Sequence, residues 1–311
     1  MARYQWRRQL LMAAPEVTYG TPASVAYATD VMTVENLAIT PVEGTEINRN
    51  LDLGRNSSVV THLVGKYAQI VCDVPLVGSG TLGVAPYYRS LLLACGMAET
   101  IVADTSVTYT PIDDDVPSCT LSARIEGALQ TIAGVRGTWE VQMQVPGIPY
   151  LRCTMLGLYA GPTHSAMPAG FPTLGHPAPI PVSAPATGFT LAGQGLNATN
   201  IQVALGNTTS YYESTALREV RIADRNPTAT VTAEADLSVN NWFARADAEE
   251  LLTVSLTHGS GAHRVAVTSS VAQIGKIAWT NINGIAGLQM PLRLRSATAT
   301  PDVTITFEAA A

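Results

Sequence analysis

Charge is what this sequence most lacks. Asp, Glu, Lys and Arg make up 14% of its 311 residues, against roughly 25% in an ordinary soluble domain. The 18 basic residues are outnumbered by 24 acidic ones, for a net charge of −6, which argues against a chain that wraps nucleic acid by neutralising phosphates. Cysteine is also scarce. Cys72, Cys95, Cys119 and Cys153 are widely spaced and form no C-x-x-C pair, so neither a disulfide framework nor a zinc site is expected. Cys72 and Cys153 fall in strand-like runs and read as small buried hydrophobes in a reducing cytoplasm. Long apolar runs are missing as well. The run from Leu10 to Ala14 stops at Pro15, short of a secretory h-region, and nothing approaches the roughly 18 apolar residues that would cross a bilayer. The expectation is a soluble chain that is not exported, with accidental sequons at Asn56, Asn197 and Asn207. With 47% hydrophobic residues and so few charges, much of the surface is expected to meet other copies of the chain.

The length suggests two units, each large enough for its own core. Period-two patterning predicts antiparallel strands over Lys66–Val77, Ser118–Glu126, Thr138–Val145 and Leu151–Leu158. Pro86–Cys95 predicts one short helix, with Pro86 at its first position, Gly96 after its end, and Tyr88, Leu91, Leu92 and Cys95 on one buried stripe. Met167–Pro185 is rich in Pro and Gly and reads as a semi-rigid spacer. Beyond it the order repeats. Arg225–Leu237 answers Lys66–Leu76, Asn241–Ala248 the helix, Leu251–His258 the strand over Ser118–Glu126, and His263–Val267 follows. Lys276–Thr280 and Leu288–Leu294 then close the repeat as Thr138–Val145 and Leu151–Leu158 do. The expected units are 1–165, comprising an N-terminal arm and the first β domain, a linker over 166–190, and a second β domain over 191–311.

Motifs that carry chemistry fare poorly. Gly78–Ser79–Gly80–Thr81–Leu82–Gly83 satisfies G-x-G-x-x-G, but Pro86 delays the helix and no βαβ alternation follows, so a strand-to-helix connection is expected instead of a dinucleotide cradle. Asp113, Asp114 and Asp115 read as a solvated turn. His258 and His263 flank Gly259–Ser260–Gly261 as a hairpin tip without a third ligand. G-x-S-x-G is absent. No catalytic residue, metal site or cofactor is assigned.

The run Gly65–Lys66–Tyr67–Ala68 through Val77–Gly78–Ser79–Gly80, then Ala85–Pro86–Tyr87–Tyr88 and Leu91–Leu92–Leu93–Ala94–Cys95–Gly96–Met97, resembles the tail tube (major tail) proteins of long-tailed bacteriophages. Val107–Thr108–Tyr109–Thr110–Pro111, Pro117–Ser118–Cys119–Thr120–Leu121, Gly134–Val135–Arg136–Gly137 and Gly157–Leu158–Tyr159 continue the likeness in order over about 35–160. In 191–311 it rests on Asp224–Arg225–Asn226–Pro227 and the strand order. The resemblance implies a β-sandwich or barrel with a flanking helix; with the repeated order of elements, a departure from the simplest single-domain members, the expectation is a mainly β chain of two tandem antiparallel sandwich or barrel domains, each with a short helix. It implies a structural virion protein whose rings stack into a hollow tube around a tape-measure protein, bounded by terminator and baseplate proteins. Assembly would take place in the host cytoplasm, the product would be the virion tail, and DNA would later pass without specific binding or any membrane role. Two tandem units lead to trimeric, pseudo-sixfold rings in preference to hexameric ones. The polar segment around Asn48, Arg49, Asn50, Asp52, Arg55 and Asn56 is the expected inter-ring contact. Another tail component of the same plan, such as a terminator, baseplate or decoration protein, or a nucleotide-binding enzyme using the glycine loop, are the alternatives.

Overall fold

A computed structural model describes residues 4–49, 58, 60–168, 175–297 and 300–308. The first half carries strands β1 (Gln9–Pro15), β2 (Val31–Met32), β3 (Glu35–Asn48) and β4 (Thr61–Pro75), then helix α1 (Arg89–Ala94). It continues with β5 (Met97–Val102), β6 (Ser106–Pro111), β7 (Cys119–Ile125), β8 (Ala128–Gln144), β9 (Tyr150–Leu158) and β10 (Thr163–His164). The second half opens with β11 (Thr187–Leu191), β12 (Gln194–Gly195), β13 (Ala198–Ala204), β14 (Asn207–Glu213), β15 (Arg218–Arg225) and β16 (Thr228–Glu234). Helix α2 (Trp242–Asp247) precedes β17 (Leu251–His258), β18 (Val265–Ile274), β19 (Ala278–Ile282), β20 (Ile285–Leu294) and β21 (Thr304–Glu308). Among the described residues the chain is mainly β with two short α-helices, as its period-two patterning and its β-branched runs dictate.

The ladders of the two halves follow one scheme. In the first, β3 pairs β4, β4 pairs β9, β9 pairs β8, β8 pairs β7 and β7 pairs β1. In the second, β13 pairs β16, β16 pairs β20, β20 pairs β18 and β19, β18 pairs β17, and β17 pairs β11. The long strand β8 is shared by two ladders, its first part pairing β7 and its second part β9. In the second half the same course is divided at Gly275–Ile277 into β18 and β19. Apart from the hairpin β14–β15, the strands are connected by ladders into one large antiparallel sheet that curves around inward residues such as Leu121, Trp139, Leu151, Leu256, Leu288 and Ile305, all fully buried. Helix α1 turns Tyr88, Leu91, Leu92 and Cys95 inward, all of them buried. It begins at Arg89 and not at Pro86, because Pro86–Tyr88 form a turn whose Pro86 carbonyl accepts from the Arg89 N–H at 3.0 Å. Asn241 caps α2, its side chain accepting from the Ala244 N–H.

Two ladders join the halves directly. β8 pairs β13 from Glu140↔Ala204 to Gln144↔Asn200, and β6 pairs β21 from Ser106↔Glu308 to Tyr109↔Ile305. The hairpin β14–β15 leaves the second half and lies on the first. The Asn207 side chain donates to the carbonyls of Cys95 (2.7 Å) and Gly137 (2.9 Å), and Arg136 donates to the Val220 carbonyl at 3.0 Å. The described part of the proline-rich segment, 175–185, does not stand free as a spacer. His176 stacks on Tyr87 with ring centroids 3.8 Å apart, the Val182 N–H donates to the Gly147 carbonyl at 2.8 Å, and Val182 is buried.

Candidate functional site

The ladders line up two four-stranded units side by side in the order β3-β4-β9-β8 and β13-β16-β20-β19. Because residues directly opposite in adjacent strands share a face, the composition of each face can be followed across the whole sheet. One face is the core side. The other carries Tyr150, Gln142, Gln202 and Thr230 on one rung and Gln144, Asn200, Thr232 and Gln289 on the next. A third rung holds the charges Glu35, Asp73, Arg152, Glu140 and Arg293. Asp73 is buried, accepting from Arg152 at 2.8 and 3.0 Å and from Asn36 at 2.8 Å. The Arg152 guanidinium, aided by the Asn36 amide, holds its carboxyl below the usual carboxylate range. This broad face is amide- and hydroxyl-rich, with its charges mostly compensated.

β3 and β19 end this sheet at opposite sides. Among the described residues β3 is laddered only to β4 and β19 only to β20. Unpaired edges of this kind are templates for another strand. β19 presents Trp279, 59% exposed, with Phe243 of α2 beside it at 5.6 Å between ring centroids. β3 and β4 continue beyond the core as a two-stranded arm whose ladder runs out to Asn48↔Thr61. Of the residues expected to contact a neighbouring ring, Asn48 is the last residue of β3 and Arg49 follows it, both exposed. Asn50, Asp52, Arg55 and Asn56 lie outside the described residues. The arm is less polar than its sequence suggests at a first reading. Ile47, Val60, Leu63 and Val64 are all exposed apolar side chains near its tip. The alternation of Thr61–His62–Leu63–Val64 into Lys66 was the available signal for strand here. Sequence reasoning also missed Trp279, and it missed β14–β15, which the run Thr208–Tyr212 and Glu219–Ile222 could have marked as a hairpin.

The motifs that invite chemistry are accounted for by packing. Gly78 lies so close to the second half that a Cβ would sit 2.6 Å from the Ala262 carbonyl oxygen. Gly83 has φ +70°, and a Cβ there would collide with the backbone of Val102–Asp104. Gly78 and Gly83 therefore seat backbone against backbone, and Gly80 faces the side chains of His263 and Pro177. His258 is buried, bonded to the Thr187 hydroxyl at 2.8 Å and through Nε2 to the Ile180 carbonyl at 3.0 Å. Burial lowers its pKa. Asp113 meets Arg225 at 3.0 Å and is otherwise exposed. All four cysteines are buried free thiols. Among the described residues no cluster of three His, Cys, Asp or Glu could hold a metal ion, and no helix is long and apolar enough to cross a membrane.

A family model described as phage tail tube protein matches residues 6–310. The match spans both halves, beyond the 35–160 stretch on which the likeness is most visible by motif. No curated protein matches the chain. With nearly its whole length matched, the chain belongs to the phage tail tube family, and it is a structural component of the virion tail.

Proposed function

We propose that three copies of this chain close into a ring of pseudo-sixfold symmetry, and that such rings stack into the hollow tube through which phage DNA leaves the virion. The observation that carries this reading is the β8–β13 ladder, which joins two like four-stranded units edge to edge and leaves β3 and β19 free at opposite ends. A contact between unlike edges is heterologous, and repetition of a heterologous contact whose rotation closes makes a ring. Three chains supply six units. In that ring the face bearing Gln142, Gln144, Gln202, Thr230 and Thr232 lines the lumen. Polar, uncharged side chains offer DNA no persistent ion pairs, and with Asp73 and Arg152 neutralising each other, Glu35, Glu140 and Glu234 outnumber Arg293 there, so the wall carries a small negative excess against a phosphate backbone. The whole ring carries a formal charge of 3 × (−6) = −18.

The arm at β3–β4 and the sequence between its strands, with Asn48, Arg49, Asn50, Asp52, Arg55 and Asn56, is the proposed contact with the next ring, and the arm's exposed Ile47, Leu63 and Val64 supply the apolar area. The rings assemble around a tape-measure protein in the host cytoplasm, and the tube ends meet terminator and baseplate proteins. Reconstruction of assembled tubes tests the reading. Three chains per ring, with both halves at the lumen, is the expected result; six chains per ring with 191–311 on the exterior overturns it. Deleting about ten residues within 49–60 should leave folded subunits that form no tubes, whereas normal tubes would remove the arm from the inter-ring contact.

A further inference from the structure

Trp139 and Trp279 occupy the same place in the two halves. Trp139 of β8 stands opposite Cys153 of β9, which stands opposite Cys72 of β4. Trp279 of β19 stands opposite Leu288 of β20, which stands opposite Ala233 of β16. The strands β3 and β13 fix this alignment. The ladder of β13 on β16 shifts register between the partners Ala233 and Thr232, and that of β3 on β4 shifts between Asp73 and Val71. Cys72 and Ala233 are therefore counterparts, and so are the two tryptophans at the ends of their rungs. Their surroundings differ in one respect. Trp139 is 1% exposed, β13 runs along its edge, and its carbonyl accepts from the Leu205 N–H at 3.0 Å. Trp279 has no such neighbour among the described residues and is 59% exposed.

We infer that Trp279 is the buried anchor of the contact between chains, covered by strand β3 of the next copy in the register that β13 adopts on β8. This rests on the ring reading above and adds to it the contacting residues. Counting from the shared register shift, Asn200, Ile201, Gln202 and Ala204 correspond to Ala38, Ile39, Thr40 and Glu43. Likewise Glu140 and Gln142 correspond to Thr280 and Ile282. The pairs Glu140↔Ala204 and Gln142↔Gln202 thus become Thr280↔Glu43 and Ile282↔Thr40 between chains. Val203, buried at the internal junction, has its counterpart in the bulge at Pro41–Val42, where Val42 is exposed in the single chain. Trp279 and Val42 are two apolar side chains left in water on complementary edges, and closing the ring removes both from it.

Fluorescence tests this directly, since Trp139 and Trp242 are buried and Trp6, 70% exposed, is the other accessible tryptophan. In a Trp6→Phe background, acrylamide quenching should fall at least threefold when subunits assemble into tubes. Unchanged quenching in tubes made of three-chain rings overturns this inference and leaves the ring intact. Rings of six chains with the second half outside overturn both. The register has its own test. Oxidation of tubes carrying Thr40→Cys and Ile282→Cys should link chains covalently, with little linkage for Thr40→Cys and Asn281→Cys. The reverse preference refutes the register. A Trp279→Lys chain should keep its circular dichroism and melting midpoint yet form no tubes, while Trp279→Phe assembles; tubes from the lysine variant would refute the anchor.

Discussion

Arg225 offers the sharpest test of how a largely buried ion pair steadies the second half. It stands at the end of β15 and donates to Asp302 at 3.0 Å, to Asp113 at 3.0 Å and to the Ile112 carbonyl at 3.3 Å, so residues of both halves meet on one guanidinium. The side chains of Arg225 and Asp302 are 20% and 10% exposed, whereas Asp113 is 84% exposed. Asp113 then contributes at most about 0.5 kcal/mol, as exposed pairs do. Asp302 decides the outcome. Replacing Arg225 by Met keeps the aliphatic stem but leaves a largely buried carboxylate without its cation, which costs about 3–5 kcal/mol in a fully buried pair. Residual exposure of the arginine reduces this to about 2 kcal/mol. Urea unfolding of the unassembled chain, followed by circular dichroism, reads it as a lower midpoint at unchanged slope. Adding Asp302→Asn removes the stranded charge, so the double variant should recover at least about 1 kcal/mol, a coupling that a double-mutant cycle isolates. A cost under about 0.5 kcal/mol for Arg225→Met, or no recovery in the double variant, would refute this role of the Arg225–Asp302 pair.

Three further outcomes follow from local chemistry. Burial pushes the Cys72 thiol up to about 12 and raises those of Cys95, Cys119 and Cys153, so a thiol reagent at pH 8 should modify none of the four in the folded chain and all four in denaturant. Gly83→Ala should destabilise by about 2–4 kcal/mol, since it combines left-handed backbone with a Cβ collision; a neutral result in a melting assay would contradict the close approach. Asp73 has a lowered carboxyl pKa, so its contribution is complete above the unfolded value of about 3.9 and is lost as pH falls through the folded value. Asp73→Asn should therefore flatten the stability profile below about pH 4 and lower stability near neutrality, as acid titration of the melting midpoint would show.

The order of elements was legible because it depends on local patterning. The alternation over Lys66–Val77 and the turn at Gly96 constrain their own residues, whatever lies across the sheet. Arg225–Leu237 was recognisable as the counterpart of that strand for the same reason, and its core became β16. What could not be read were pairings at long sequence separation. Nothing local states that β8 will be flanked by β13, sixty residues on, or that β21 will pair β6 across two hundred. Edge strands were hard for a related reason. β3 alternates imperfectly because its bulges at 35–38 and 40–43 shift the inward face, and β19 is only five residues long, with Trp279 and Ile282 out of period-two spacing. Trp279 and Trp139 fall in the matched runs Lys276–Thr280 and Thr138–Val145, but their equivalence residue by residue, and the exposure of only one of them, come from the ladders. The glycine loop misleads in the opposite way. Its spacing satisfies a phosphate motif, yet the constraint on Gly78 and Gly83 comes from neighbouring backbone.

The two free edges also differ in a way that selects their partner. β19 reads Ala-Trp-Thr-Asn-Ile, with no proline, lysine or acidic residue to discourage pairing. β3 carries Pro41 and two bulges, and its outer part holds Glu43 and Glu46. Such features protect an edge against copies of itself. Two β3 strands brought together would set their glutamates near one another, a repulsion that opposes this symmetric contact. Two β19 strands would meet without charge, but their tryptophans already lean on Phe243 of their own helices, and neither strand offers the bulge that receives Trp139's counterpart. A β19–β3 contact sets Glu43 opposite Thr280, leaves no like charges in register, and closes Trp279 over Val42. Half of the edge contacts in the proposed ring are made within each chain, where no translational freedom is lost. The remaining half are of one kind, β19 to β3, so the chemistry of these two strands alone decides whether a chain adds to a ring or stays apart.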